Sequence, residues 1–112
     1  MHTTVEIDGK KICTWPAFHD VFAAKLGFPS FYGRNMDAWI DCMTSLDDSA
    51  DGMSTVHAPD GGVLVLSIQN VDHLIKRGRK IYDALIECSA FVNHRKMEVG
   101  ERPVLALSFC RR

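Results

Sequence analysis

The sequence predicts an α/β fold in which a three-stranded parallel sheet is packed with helices, and three observations lead there. The 112 residues are 46% apolar and 24% charged, which suits a single globular domain over residues 1–112 that buries a core without disulfide or metal staples. Three short β-type runs stand near the start, the middle and the end of the chain. Between them lie stretches whose apolar residues recur at helical spacing, and strands that alternate with helices pair in parallel through right-handed crossovers.

Thr4 to Asp8 alternates Val5 and Ile7 with polar residues and ends at Asp8-Gly9, which reads as a strand and a turn. Thr14 is placed to cap a first helix, on which Trp15, Phe18, Phe22 and Leu26 share a face. Pro16 lies in its first turn and Gly27 is placed to end it. Phe28-Pro29 then forces an extended step, and Asn35 can cap a second helix with Met36, Trp39, Ile40 and Met43 as its apolar stripe. Asp47 to Gly62 loses all periodicity and reads as a surface loop, either mobile or functional. Val63 to Ile68 is a nearly continuous β-branched and Leu run, the mark of a strand covered on both faces. Val71 to Lys76 and Arg79 to Val92 read as two helical pieces parted near Gly78, and Asn93 to Arg102 as a polar connection. Pro103 to Phe109 supplies a third, buried strand.

The charges nearly balance, 13 basic against 14 acidic, which argues against a general nucleic-acid binder. Their distribution is uneven. Residues 1 to 62 hold four basic and nine acidic side chains, and Arg34 alone is basic between Lys25 and Lys76, against seven aspartates, six of them from Asp37 to Asp60. An acidic patch of this kind attracts a basic partner by long-range steering. Cys13, Cys42, Cys88 and Cys110 are scattered in apolar stretches with no CxxC pair, the N-terminus carries no apolar leader, and no run is long enough for a membrane span; the expected setting is the reducing cytoplasm.

At about 100° per residue, Asp37 and Asp41 lie on one outward stripe of the second helix, which Thr44 and Asp48 extend. Two like charges at i and i+4 mildly destabilise their own helix, so the stripe is either a solvated acidic face or a surface meant for an external cation.

The run from Phe28 to Met43 (Phe-Pro-Ser-Phe-Tyr-Gly-Arg-Asn-Met-Asp-Ala-Trp-Ile-Asp-Cys-Met) resembles the signature of barstar-like proteins, a family of ribonuclease inhibitors. The resemblance rests on Pro29, Tyr32, Gly33, Asn35, Asp37, Ala38 and Asp41 in unbroken spacing, and the order of strands and helices extends it over most of the chain. It implies a barstar-like fold and a protein that inserts the start of its second helix, with the preceding loop, into a basic active site. There aspartates take the place of RNA phosphates. By the same resemblance Asp41 is the central carboxylate and Asp37 its companion, while Phe31 packs on the nuclease without the hydroxyl of the family's aromatic. Ile40 stands where the family prototype has an interface tryptophan, with Trp39 one residue earlier, and Arg34 brings a positive charge beside the contact face. Asn35, Ala38 and Thr44 belong to the same surface, and Glu87 on a later helix matches a peripheral acidic contact. Gly33 and Asn35 also read as turn and cap residues, and Tyr32 as a core residue with a locally bonded hydroxyl.

Other chemistries fit less well. His2, His19, His57, His73 and His94 lack metal-ligand spacing and read as surface histidines. Asp37 and Asp41 are not opposed across a scissile bond, and Cys42 has no base or cation to activate it. Neither enzymatic activity nor a cofactor or metal is therefore expected. The expected partner is a basic ribonuclease of the barnase type, met by a monomeric inhibitor. The alternatives are an immunity protein of the same fold against a toxin that is not a ribonuclease, and an RNA-binding module using Lys76, Arg77, Arg79 and Lys80, which no RNA-recognition motif accompanies.

Overall fold

The computed structural model describes residues 1–112. Three parallel strands, β1 (His2–Asp8), β2 (Val63–Gln69) and β3 (Leu105–Phe109), lie side by side in that order. Between β1 and β2 come helices α1 (Trp15–Leu26) and α2 (Met36–Thr44); between β2 and β3 come α3 (Val71–Arg77) and α4 (Arg79–Glu98). The register pairs Val5 with Leu66 and Ile7 with Ile68, then Leu66 with Leu107. Leu64, Leu66 and Ile68 of the central strand are fully buried on one face, whereas Val63 and Val65 on the other are only half-buried, so the strand is less completely covered on both faces than its apolar run led one to expect. No helix is long and apolar enough to cross a membrane.

The helix boundaries in the first half follow their chemistry. The Thr14 hydroxyl accepts from Ala17 N, and Gly27 closes α1 in the left-handed region at φ 67°, where a side chain would be strained. Asn35 Oδ1 accepts from Ala38 N at 2.8 Å and opens α2. The left-handed turn before α2 belongs to Arg34 at φ 55° and not to Gly33, which was expected to supply it. Phe18, Phe22 and Leu26 of α1 are fully buried, whereas Trp15 at the helix start is exposed.

The second half departs from expectation in two places. Helix α4 runs six residues past Val92 because its polar tail finds long-range partners that no local pattern reveals. Asn93 accepts from Val104 N and Leu105 N and donates to Leu105 O at 2.8 Å, clamping the start of β3. Lys96, 6% exposed, places its ammonium 2.8 Å from both Asp47 and Glu101. Strand β3 is an edge strand whose Ser108 and Phe109 face solvent, so it is not the buried strand expected there.

The long loop between α2 and β2 is likewise fastened. Thr55 N and Val56 N both donate to Leu26 O, Ala58 N donates to Leu46 O, and Ser54 and Ala58 are buried. Helix α2 ends at Thr44, so Asp48 leaves the expected acidic stripe and caps a short 3-10 turn over Ser49–Asp51.

Burial pulls the pKa of Lys96 down, but hydrogen bonds to Asp47 and Glu101 more than offset this and hold it above the ordinary lysine value. Truncating Lys96 should leave both carboxylates without their cation at the junction of α2, α4 and β3. Lys96→Ala is expected to lower stability by about 1–3 kcal/mol, less than for a fully buried pair because Asp47 and Glu101 reach water. The midpoint of urea unfolding checks this.

Candidate functional site

Helix α2 sits on the core through one side. Trp39 and Met43 are fully buried and Ile40 is 9% exposed. The Trp39 ring meets Phe22 edge-on at 5.7 Å and lies 6.3 Å from Phe18. A helix of nine residues anchored in this way must turn the opposite side outward, and Asp37 and Asp41 are exposed there. Ile40 was expected at the contact surface but is a core residue with almost no area to offer, because it follows Trp39 onto the buried side.

Glu87 comes from α4, which packs against α2. The Cys88 thiol pKa is pushed up first by burial and then by the charges of Glu87 and Asp37, so both carboxylates act on one sulfur. Chain segments about 50 residues apart in sequence thus build one acidic face. Phe31, 66% exposed, stands beside it. A cleft of about 160 Å³ opens next to Asp41, lined by Phe31, Tyr32, Ala38, Cys42 and, from the long loop, Met53. Met53 carries no local sequence signal for this position; only the folding of the loop back onto α1 brings it there.

Three expected residues serve local roles. Thr44 turns back and donates to Ile40 O at 2.6 Å. Asn35 spends its oxygen on the α2 cap and donates to Gly33 O. The Arg34 guanidinium lies 2.8 Å from Asp20 and reaches Pro16 O, so its charge is drawn toward the start of α1.

Asp41 is not free. Its Oδ1 accepts from Arg95 Nη1 of α4 at 2.9 Å, across 54 positions of sequence. Cys42 beside it is inert, its pKa pushed up to about 11 by burial and then by the Asp41 charge. No three metal-ligating side chains converge anywhere in the chain. The basic residues Lys76, Arg77, Arg79 and Lys80 surround the α3–α4 junction, about 24 Å along α4 from Arg95. They are exposed, and Arg79 is paired with Asp83.

Beneath the loop that carries Phe31, Tyr32 Oη and His19 Nδ1 lie 2.6 Å apart. His19 is 5% exposed and stacks on Trp15, so it is not the surface histidine expected from the sequence. Burial, then the Arg34 charge, lowers its pKa below the ordinary value, and burial raises that of Tyr32. Both groups are therefore neutral near pH 7 and share one hydrogen bond, whose direction is set by the imidazole tautomer.

Comparison with known proteins gives two findings. The family model described as Barstar (barnase inhibitor) matches residues 2–106. A Bacillus subtilis (strain 168) protein named "Putative ribonuclease inhibitor YrdF" is 45% identical over 42 residues, which are 38% of this chain and 46% of that protein. The chain thus spans about half the length of this curated relative.

The buried His19 has a consequence for stability. Its folded pKa lies below the unfolded value of about 6.5, so its contribution is fully present above that pH. As pH falls through 6.5 the unfolded chain takes the proton first, and stability drops until the folded value is passed. Urea midpoints measured from about pH 8 to pH 5 should show this fall, and His19→Gln should flatten it. Tyr32→Phe should cost about 1–2 kcal/mol at pH 8, since the buried Nδ1 loses its hydrogen-bond partner.

Proposed function

The chain belongs to the barstar family, and from that premise we propose that it is a ribonuclease inhibitor that blocks a basic active site with the acidic face of α2. The observation that carries this reading is the outward pair Asp37 and Asp41 on a helix locked to the core by Trp39. A ribonuclease concentrates Arg, Lys and His⁺ where RNA phosphates bind. Carboxylates fixed on a rigid helix can satisfy those groups with charge-assisted hydrogen bonds and lose little conformational entropy in doing so.

In this reading Asp41 is the central carboxylate and Asp37 its companion. Glu87 extends the negative face, and Phe31 with the cleft beside it supplies apolar contact. The same face steers a basic partner during approach. Asn35 and Ala38 lie at the start of the helix and set its entry angle. The protein acts stoichiometrically, as a monomer until it meets its partner, and its four free thiols suit the reducing cytoplasm.

The test is RNA cleavage by a barnase-type ribonuclease titrated with this protein. One-to-one inhibition is expected, and Asp41→Ala should weaken it by about 2 kcal/mol or more, at least about thirtyfold. That is the hot-spot range for a desolvated charge, to which the family's own prototype complex contributes. The same substitution should move Tm by no more than about 5 °C, because Asp41 is 58% exposed and its only ion pair is a surface one. Equal inhibition by variant and parent would sink the reading.

A further inference from the structure

Of the three carboxylates on the acidic face, Asp41 alone has an intramolecular cation. Arg95 holds its Oδ1 through a single contact from Nη1 at 2.9 Å, whereas Asp37 and Glu87 are unpaired. The side chains of Asp41 and Arg95 are 58% and 39% exposed, so the pair is open to water and can be displaced. The backbone that carries Arg95 is not so free. Lys96, the next residue, is buried between Asp47 and Glu101, and Asn93 two residues earlier is bonded to the start of β3. The last turns of α4 are thereby fixed, and Arg95 is held at the edge of the face.

We infer that Arg95 is a specificity-determining residue of this face: it occupies Asp41 in the free protein, and a partner reaches that carboxylate by bringing cations that displace the guanidinium. The inference rests on the inhibitor reading above and adds a condition to it. A single flexible lysine replaces one point contact with another and gains little. A site that presents a guanidinium fork together with a second cation fills both oxygens of Asp41 and leaves Arg95 to water. The face is thus tuned toward partners whose binding site carries several cations, the arrangement expected around a scissile phosphate, and against isolated basic side chains. Arg95 also stands as a positive charge on the approach path and slows association with any basic surface.

The experiment uses the full chain and a barnase-type ribonuclease, with association and dissociation rates measured at low and moderate salt for the parent, Arg95→Ala, Asp41→Ala and the double variant. Arg95→Ala is expected to bind about threefold to tenfold tighter at low salt, largely through faster association, because a surface pair no longer has to be broken and a like charge is gone. On the Asp41→Ala background the gain should shrink to the steering effect alone. Arg95→Lys, which keeps the charge and can keep a single point contact, should bind close to the parent and well below Arg95→Ala. Unchanged or weaker binding by Arg95→Ala overturns the inference while the inhibitor reading stands; full binding by Asp41→Ala removes the reading itself. The free protein supplies a check that needs no partner. The Tm changes of the two single variants should fail to add up in the double variant at low salt, and strictly additive changes refute the pair.

Discussion

The burial of Trp39 is the constraint on which the candidate site depends. A nine-residue helix has little intrinsic stability, so its orientation is set by what it buries. The indole fills the space beside Phe18 and Phe22, and its removal from water is worth more than the one hydrogen bond that its Nε1 lacks. Once Trp39 and Met43 point inward, the period of the helix leaves Asp37 and Asp41 no alternative but the outside. Rigidity and charge display are thus one result of one packing choice. That coupling matters for binding, because a carboxylate already fixed in place loses little freedom when it meets a cation.

A second layer of constraint comes from α4. From Arg79 to Val92 it is an ordinary amphipathic helix resting on Ile81, Leu85 and Val92, but its last turns are held chiefly by polar contacts. Asn93 ties them to β3, Lys96 to the loop after α2 and the turn before β3, and Arg95 to α2 itself. The acidic face is accordingly composite. Asp37 and Asp41 arrive by local helix geometry, Glu87 and Arg95 by the docking of a helix made late in the chain.

This division explains what could be read from the sequence. The caps Thr14 and Asn35 and the Gly27 stop rest on signals within a few residues of one another, and the structure places them as expected, whereas the sequence left open which way Trp39 faces and the structure turns it inward. The three-stranded parallel sheet was legible for the same reason, since apolar runs of strand length alternate with helical periods, but the order of its strands was not. What was missed depends on pairs distant in sequence. The tail of α4 has no apolar stripe because ion pairs and an asparagine clamp replace it. His19 looked like a surface residue because its partner Tyr32 lies 13 positions away, and Ile40 looked available because a barstar-like motif had to be mapped onto a helix whose tryptophan stands one residue earlier. The role of Met53 beside the cleft depends on the path of a loop that carries no periodicity at all.

The macrodipole of α2 accounts for why Asp41, and not Asp37, carries an internal cation. Asp37 is in the first turn, where unpaired amide N–H groups present partial positive charge and a carboxylate is welcome. Asp41 is four residues further on, close to the C-terminal end, where the same dipole opposes it and Asp37 repels it as well. A carboxylate at this position is therefore the one the isolated helix tolerates least, and it is met by a cation from elsewhere in the fold. Arg95 provides it from α4, loosely enough to be exchanged. A neutral residue at position 41 would spare the fold this strain of charge, but in the inhibitor reading proposed above it would also remove the group for which a basic partner has most to gain by replacing Arg95.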